Sequence, residues 1–445
     1  MRIPLIKKCL LSCLIVGMMT PAFSVPESSF SKGTYKIPKS DDINKSVLAG
    51  KIGDMYLQLG GRVKLDAYYD VNGRQFGTYG VDVAALPLDG IDFNAQRRGN
   101  FNATLTGTRL NVDGYKVLGK TKSHVFVEFD FNGNSSTTTN SYSPRLRFAF
   151  GEIMDETERH ILLVGQSWTN FGNIEAAPRT LNNVPASFRV AQIRYTHMIT
   201  PRLSIAAALE KPSVQYFQNT GATATSGYQD NDSAVSNSKS STPDLTMQIR
   251  FKNDVGQLSL AGVARKLQVK AVRGFNGALD NFNQSKLGWG VGIAGVLEVL
   301  KPVRLMGQVI GGKGTGRYID DLGNQNPLDS YFQYRTADNL GLTNHYENVK
   351  AMYYNAGIMV NWTKCLNSTM GGAYTKVFTP EKMTATPATR IFHKSMQRYH
   401  VNLIYTIFPD NEVGFEVEHF KRKAGVPVEF NGRDTRFVVS YIYNF

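Results

Sequence analysis

The sequence predicts an all-β chain that closes as a transmembrane antiparallel β-barrel of about sixteen strands. Three observations carry this. Apolar and polar residues alternate at a period of two in segment after segment. The spacers between segments alternate short and long. The last segment, Arg436 to Phe445, is an aromatic strand ending on Phe445. There Phe437, Val439, Tyr441, Tyr443 and Phe445 share one face, and Arg436, Ser440 and Asn444 the other. A soluble edge strand this apolar would template aggregation. In a membrane barrel one face meets lipid and the edge pairs with the first strand. The competing reading is a sandwich strand at the chain end.

The segments run in order along the chain. Met55–Asp70 sets Leu57, Leu59, Val63, Leu65, Ala67 and Tyr69 against Gln58, Arg62, Lys64, Asp66 and Tyr68. Gly99–Asp113 opposes Leu110 and Val112 to Arg109. Lys122–Gly133 opposes Val125, Val127 and Phe129 to His124, Glu128 and Asp130. Ser143–Ile153 opposes Leu146, Phe148 and Phe150 to Arg145 and Arg147. Arg159–Gln166 is evenly apolar. Phe188–Met198 places Gln192 and Arg194 on the polar face, and Arg202–Lys211 comes after a tight turn. Pro243–Asn253 places Gln248, Arg250 and Lys252 there. After Gly256–Val272, Lys286–Val299 sets Trp289, Val291, Ile293 and Leu297 against a wall of glycine. Pro302–Gly312 contributes Arg304 and Gln308 to the polar face. Asn348–Trp362, Asn367–Phe378 and Ser395–Phe408 are next, the last with Arg398, His400 and Asn402 on that face. Asn411–Phe420 adds Glu412, Glu416 and Glu418, and Asp434–Phe445 closes.

Sixteen segments is an even number, as single-chain bacterial barrels have, and belongs to the class with an aqueous lumen. Short spacers such as Thr200-Pro201, Lys301-Pro302 and Pro409-Asp410 read as periplasmic turns, with both termini on that side. Long ones, 211–242 and 312–347, read as extracellular loops. The mean hydropathy of −0.25 fits a barrel whose lumenal residues dilute its lipid-facing ones.

Residues 1–24 read as a signal peptide: Arg2, Lys7 and Lys8 precede an apolar Cys9–Met19, and Ala22-Phe23-Ser24 offers a cleavage site. Residues 25–54 form a short periplasmic segment, and 55–445 the barrel. With Cys9 and Cys13 in the signal, Cys365 stands alone, so no intramolecular disulfide, cysteine metal site or cofactor is expected. The formal charge of +14 includes the signal's three basic residues, which leaves +11 for the mature chain. Spread among strands, this excess points to an anion-attracting lumen or to loops against lipid phosphate; nucleic acid would require a cluster.

Ser167–Ser187, between the fifth and sixth segments, holds Trp168, Phe171, Glu175 and Arg179. In sixteen-stranded barrels the loop at this position folds inward and narrows the lumen. The alternative is a loop covering the rim.

Val63-Lys64-Leu65-Asp66-Ala67-Tyr68-Tyr69-Asp70 resembles the first-strand motif of the DcaP-like outer-membrane porins. Glu128-Phe129-Asp130-Phe131, Arg145-Leu146-Arg147-Phe148-Ala149, Gly165-Gln166-Ser167-Trp168 and the pre-barrel stretch 33–41 resemble that family in order and spacing. The resemblance is strongest over residues 33–200. It implies a sixteen-stranded barrel in the outer membrane of a Gram-negative bacterium, a homotrimer, and diffusion of small anionic solutes such as dicarboxylates. The helical periplasmic extension of some members has no counterpart here. The expected partners are outer-membrane lipid and lipopolysaccharide, small anions, and the barrel-assembly machinery through the C-terminal strand.

The period of two then names the pore lining: Arg62, Lys64, Asp66, Arg109, Glu128, Asp130, Arg145, Arg147, Arg194, Arg250, Arg304 and Arg398. Arg145 and Arg147 lead the basic candidates; the bland reading is that they pair with Glu128 and Asp130 and brace the wall. A surface adhesin anchored by a barrel is the alternative function. An enzyme barrel would need a placed nucleophile and base, and the seven His are scattered.

Overall fold

The computed structural model describes residues 49–72, 80–133, 142–181, 188–213, 216–219, 238–239, 241–271, 282–319, 328–333, 345–381, 383 and 392–445. Among them, sixteen antiparallel strands close one barrel. They are β1 (Met55–Asp70), β2 (Asn100–Thr104 continued by Arg109–Leu118), β3 (Thr121–Asp130), β4 (Arg145–Met154), β5 (His160–Trp168), β6 (Arg189–Thr200), β7 (Leu203–Glu210) and β8 (Asp244–Asn253). Then come β9 (Gly256–Ala271), β10 (Phe282–Leu300), β11 (Val303–Lys313), β12 (Lys350–Asn361), β13 (Leu366–Phe378), β14 (His393–Phe408), β15 (Asn411–Ala424) and β16 (Phe430–Asn444). Each expected segment has its strand. Ala49–Ile52, expected to be irregular, forms a hairpin with the start of β1. The signal peptide and residues 25–48 lie outside the described residues.

Alternation decides which way each wall faces. Leu59, Val63, Leu65, Met247, Ile249, Val291 and Leu403 stand outward and exposed, while Lys64, Asp66, Thr246, Arg250 and Asn402 point inward and are buried. No described helix is long and apolar enough to cross a membrane; the outer apolar band belongs to strands. Tyr69, Phe101 and Trp289 stand outward near its long-loop end, and Trp362, Phe408 and Tyr443 near its short-turn end, as aromatic girdles do.

β16 pairs with β1 from Arg62↔Asn444 to Asp70↔Arg436. Phe445 N–H donates to Gly61 O at 3.1 Å, and Gly61 N–H to Phe445 O at 3.0 Å. The final residue is therefore part of the seam.

Three expectations need correction. Leu146, Phe148 and Phe150 do not share the lipid face. The β3–β4 register slips between Glu128↔Phe148 and Phe129↔Leu146, leaving Arg147 as an extra residue, and such a bulge re-aims the side chains beyond it. Phe148 and Phe150 turn inward onto Phe126, Leu163 and Trp168. Next, the spacer between β11 and β12 is not simply an extracellular projection. Tyr318, Ile319, Leu328 and Tyr331 are buried with Val81, Val83 and Leu86 of loop 1 (71–99, between β1 and β2) and Phe171 of loop 3 (169–188, between β5 and β6) in one apolar cluster against the inner wall. Arg265 of β9 anchors this loop 6, with Nη1 2.6 Å from Asp329 and Nε 2.9 Å from Asp244. Tyr318 lies on the same anchor and donates to Glu210 and Asp244 at 3.1 and 3.0 Å. Burial, then those carboxylates, pushes its hydroxyl well above its usual value, so it stays a donor. Finally, Cys365 is disulfide-bonded; Cys9 and Cys13, the only other cysteines in the sequence, lie outside the described residues. Beyond the barrel, Tyr216–Asn219, Ser330–Gln333 and His345–Asn348 form a three-stranded sheet between loops 4 and 6.

Deleting Phe445 removes two seam hydrogen bonds and the terminal aromatic. The deletion is expected to lower the amount of heat-modifiable, membrane-inserted protein several-fold; unchanged membrane levels would count against this role for the last residue.

Candidate functional site

β5 ends at Trp168, and the chain then stays inside the cylinder. The carboxylate of Glu210 on β7 accepts from Thr169 Oγ1 at 2.9 Å and from Asn170 N–H at 2.8 Å. Gln248 of β8 donates to Asn170 O at 3.0 Å, and Asn173 to Ser259 of β9 at 3.0 Å. Ala176 packs on Ala294, Val296 and Met306 of β10 and β11. Asn402 of β14 donates to Arg179 O at 2.8 Å, and Arg179 Nη2 lies 2.7 Å from Glu412 of β15. Leu181 N–H donates to Glu416 at 3.0 Å, and its carbonyl accepts from Lys64 Nζ of β1 at 2.8 Å. All these wall groups face inward, so residues 169–181 track the inner surface from β7 round to β1.

Inward glycines make the seat. A Cβ on Gly290 would meet Phe171 Cζ at 3.2 Å; on Gly357, Pro178 Cγ at 2.5 Å; on Gly371, Pro178 Cβ at 2.7 Å; on Gly414, Leu181 Cδ2 at 2.6 Å. Close packing leaves no room for larger side chains at these points. The glycine wall of β10, visible in the sequence, is thus in part a footprint of loop 3, shared with Thr315 and Gly314 of the β11–β12 connection.

The sequence-selected residues fall into distinct places. Trp168 is the last strand residue, with the Arg189 guanidinium 5.1 Å over its ring. Phe171 is buried against Tyr318, ring centroids 5.2 Å apart. Glu175 sits 3.5 Å from Arg250 and 3.9 Å from Lys252. Arg179 keeps 40 % of its side chain exposed beside Glu412.

On the wall, Lys64 Nζ lies 2.6 Å from Asp66, and both are buried. Arg62 Nε donates to Gly107 O at 3.1 Å. Arg147 holds Glu128 at 2.6 Å and Asp130 at 2.7 Å, and Arg145 holds Asp130 through both oxygens at 3.0 and 2.6 Å. Arg109 lies 3.7 Å from Glu128. The bracing geometry is therefore present, with Arg147 buried in it and Arg145 half-exposed. Arg194 is buried under loop 3, within 3.5 Å of Trp168 O. Arg398 is buried beneath loop 1, 3.4 Å from Val81 O. Arg304 pairs with Glu298 beside a short turn.

Sequence reasoning missed the second anchor set. Arg422 donates to Leu86 O at 2.6 Å and holds loop 1 on β15. Arg265 and Arg436 are fully buried in ion pairs. The inward parity of Arg436 was readable, but Arg265 lies in a segment of unclear register and Arg422 beyond the segment read, and their partners come from loops or from the far end of the chain.

The fold is that of the sixteen-stranded outer-membrane channels. The crystal structure of the outer membrane channel DcaP of Acinetobacter baumannii is similar over 90 % of this chain and 100 % of that one, at 22 % identity and a TM-score of 0.67. Outer-membrane expressed OmpT of Vibrio cholerae matches at 8 % identity over 89 % and 100 %, with a TM-score of 0.52. The anion-selective porin from Comamonas acidovorans matches at 12 % identity over 88 % and 100 %, with a TM-score of 0.50. No family model and no curated protein sequence matches the chain.

Two substitutions test the wall and one the seat. Arg147→Gln leaves Glu128 and Asp130 short of a buried partner and is expected to cost about 3–5 kcal/mol in urea unfolding from detergent or lipid. Arg145→Gln, half-exposed, costs about 1 kcal/mol or less. Gly371→Val drives into Pro178 and His400; it should displace loop 3 and change single-channel conductance while the barrel still inserts. Wild-type conductance in that variant would refute the seat.

Proposed function

We propose that the chain is an outer-membrane porin of a Gram-negative bacterium: a passive diffusion channel for small hydrophilic solutes that favours anions such as carboxylates. The observation that carries this reading is the asymmetry of the lumen. Loop 3 covers the inner wall from β7 to β16, with loops 1 and 6 packed above it. On β1 to β4, by contrast, Arg62, Arg109 and Arg145 keep contact with solvent, with Lys64, Asp66, Glu128, Asp130 and Arg147 buried among them. The passage runs between them and loop 3, whose Arg179 stays part-exposed beside Glu412 of β15. Basic groups at a narrow, low-dielectric passage raise the local concentration of anions. The remaining lining candidates, Lys64, Asp66, Arg194, Arg250 and Arg398 among them, act by holding wall and loops in place. A neighbour in fold being called an outer membrane channel, and another an anion-selective porin, supports the same reading.

A homotrimer, contact with lipopolysaccharide, and assembly through the C-terminal strand belong to this proposal; light scattering in mild detergent tests the first. The alternative, a barrel that anchors an adhesin, is weakened by loops 1, 3 and 6 turning inward. Against an enzyme, both ring nitrogens of His124 are engaged by Asp113 and Glu152, at 2.8 and 2.9 Å, which leaves no free base there.

Selectivity decides. In planar bilayers under a salt gradient, the wild type is expected to give an anion-selective reversal potential. Arg145→Glu with Arg179→Glu should weaken or invert it. A cation-selective wild type would overturn the charge argument, and absence of any conductance would overturn the channel.

A further inference from the structure

The outward face of β11–β13 at the long-loop end carries cations that the channel reading does not use. Lys313, Lys350 and Lys376 are all exposed there. In the β-ladder Lys313 stands directly opposite Lys350, and Lys350 opposite Phe378. Lys350 Nζ lies 4.6 Å from the centre of the Phe378 ring and Lys376 Nζ lies 5.3 Å from it, so two ammonium groups share one aromatic side chain. Like charges directly opposed across strands are destabilising on their own. None of the three has a carboxylate at ion-pair distance among the described residues. The chain does supply one nearby: on β14 and β15, Lys394 and Lys423 share Glu429 at 3.1 and 3.7 Å.

The surface beside and below these lysines is apolar. Trp289 stands opposite Lys313. Toward the membrane centre, Val309, Tyr354 and Tyr374 form one row, and Gly307, Ala356 and Gly372 the next. The result is an apolar surface under a cationic rim, in which a trough of small residues lies below Tyr354 and Tyr374. A free anion has no use for the trough, and a neutral lipid none for the lysines.

We infer that this face binds a multiply phosphorylated lipid of the outer leaflet, with its phosphates on Lys313, Lys350 and Lys376 and its acyl chains along the trough. The inference rests on the outer-membrane reading above but not on conduction. Lysine at an anionic lipid surface contributes about 1 kcal/mol, roughly fivefold in affinity per residue, so three together give roughly a hundredfold.

The experiment titrates delipidated, detergent-solubilised full-length protein with diphosphorylated lipid A and reads bound lipid by native mass spectrometry. Wild type should bind diphosphorylated lipid A well above its dephosphorylated form. K313Q/K350Q/K376Q should bind roughly a hundredfold more weakly, and K313R/K350R/K376R like wild type. Undiminished binding by the Gln variant, or lost binding by the Arg variant, overturns the site. So does displacement of the lipid by inorganic phosphate at equal concentration, which would make it a simple anion patch. A changed oligomeric state of the Gln variant by light scattering also overturns it, by making this face a contact between copies. Conductance is measured in parallel and should be the same for all three proteins, because these lysines point away from the lumen. A wild type that binds the lipid but does not conduct would remove the channel reading and leave this one standing.

Discussion

A sheet in lipid has no water for its edges, so every backbone N–H and C=O in the hydrocarbon layer must pair within the protein. The β1–β16 seam meets that constraint. It is reinforced from inside: Arg436 clamps Asp70 at 2.6 and 2.9 Å and lies 4.2 Å over the Tyr68 ring, and Ser440 donates to Asp66. Once the seam is closed, the inner face becomes a compartment of its own. Charges placed there cannot reach lipid and find partners across the wall or on loops that enter.

That compartment explains how one wall serves two purposes. Where loops enter, inward arginines are buried in ion pairs or on carbonyls, as Arg265, Arg398 and Arg422 are. Where they do not, Arg109 and Arg145 brace acidic neighbours and still touch solvent, while Arg147 is buried in the same brace. Bracing and lining are therefore not alternatives for such a residue. A paired guanidinium fixed at a passage presents a pre-oriented charge.

Local alternation made the strands legible, because the period of two is a property of the chain and not of its tertiary partners. Every strand could be read this way, and for most its inward parity, including Arg62, Lys64 and Arg194; the register of Gly256–Val272 could not. Phe148 and Phe150 could not. A single extra residue at Arg147 inverts the parity of the rest of β4, and nothing in the alternation announces it. The inward fold of loop 6 was equally silent, because Asp329, Asp244 and Arg265 are far apart in sequence and meet only in three dimensions. The glycines of β10 were conspicuous, but their meaning required Phe171 to be seen beside Gly290.

Loop 3 leaves the wall after β5, yet apart from Lys64 the hydrogen bonds and ion pair that seat it come from strands later in the chain, through Glu210, Gln248, Ser259, Asn402, Glu412 and Glu416, while Ile174 packs on the Phe126, Phe148 and Phe150 cluster of earlier ones. Most of the polar seat of loop 3 is thus encoded downstream of it. A barrel caught before its last strands join would hold loop 3 mainly over its first half, through Glu210, Gln248 and Ser259. Its second half, from Arg179 to Leu181, meets Asn402, Glu412 and Glu416 only where β14 and β15 are in place.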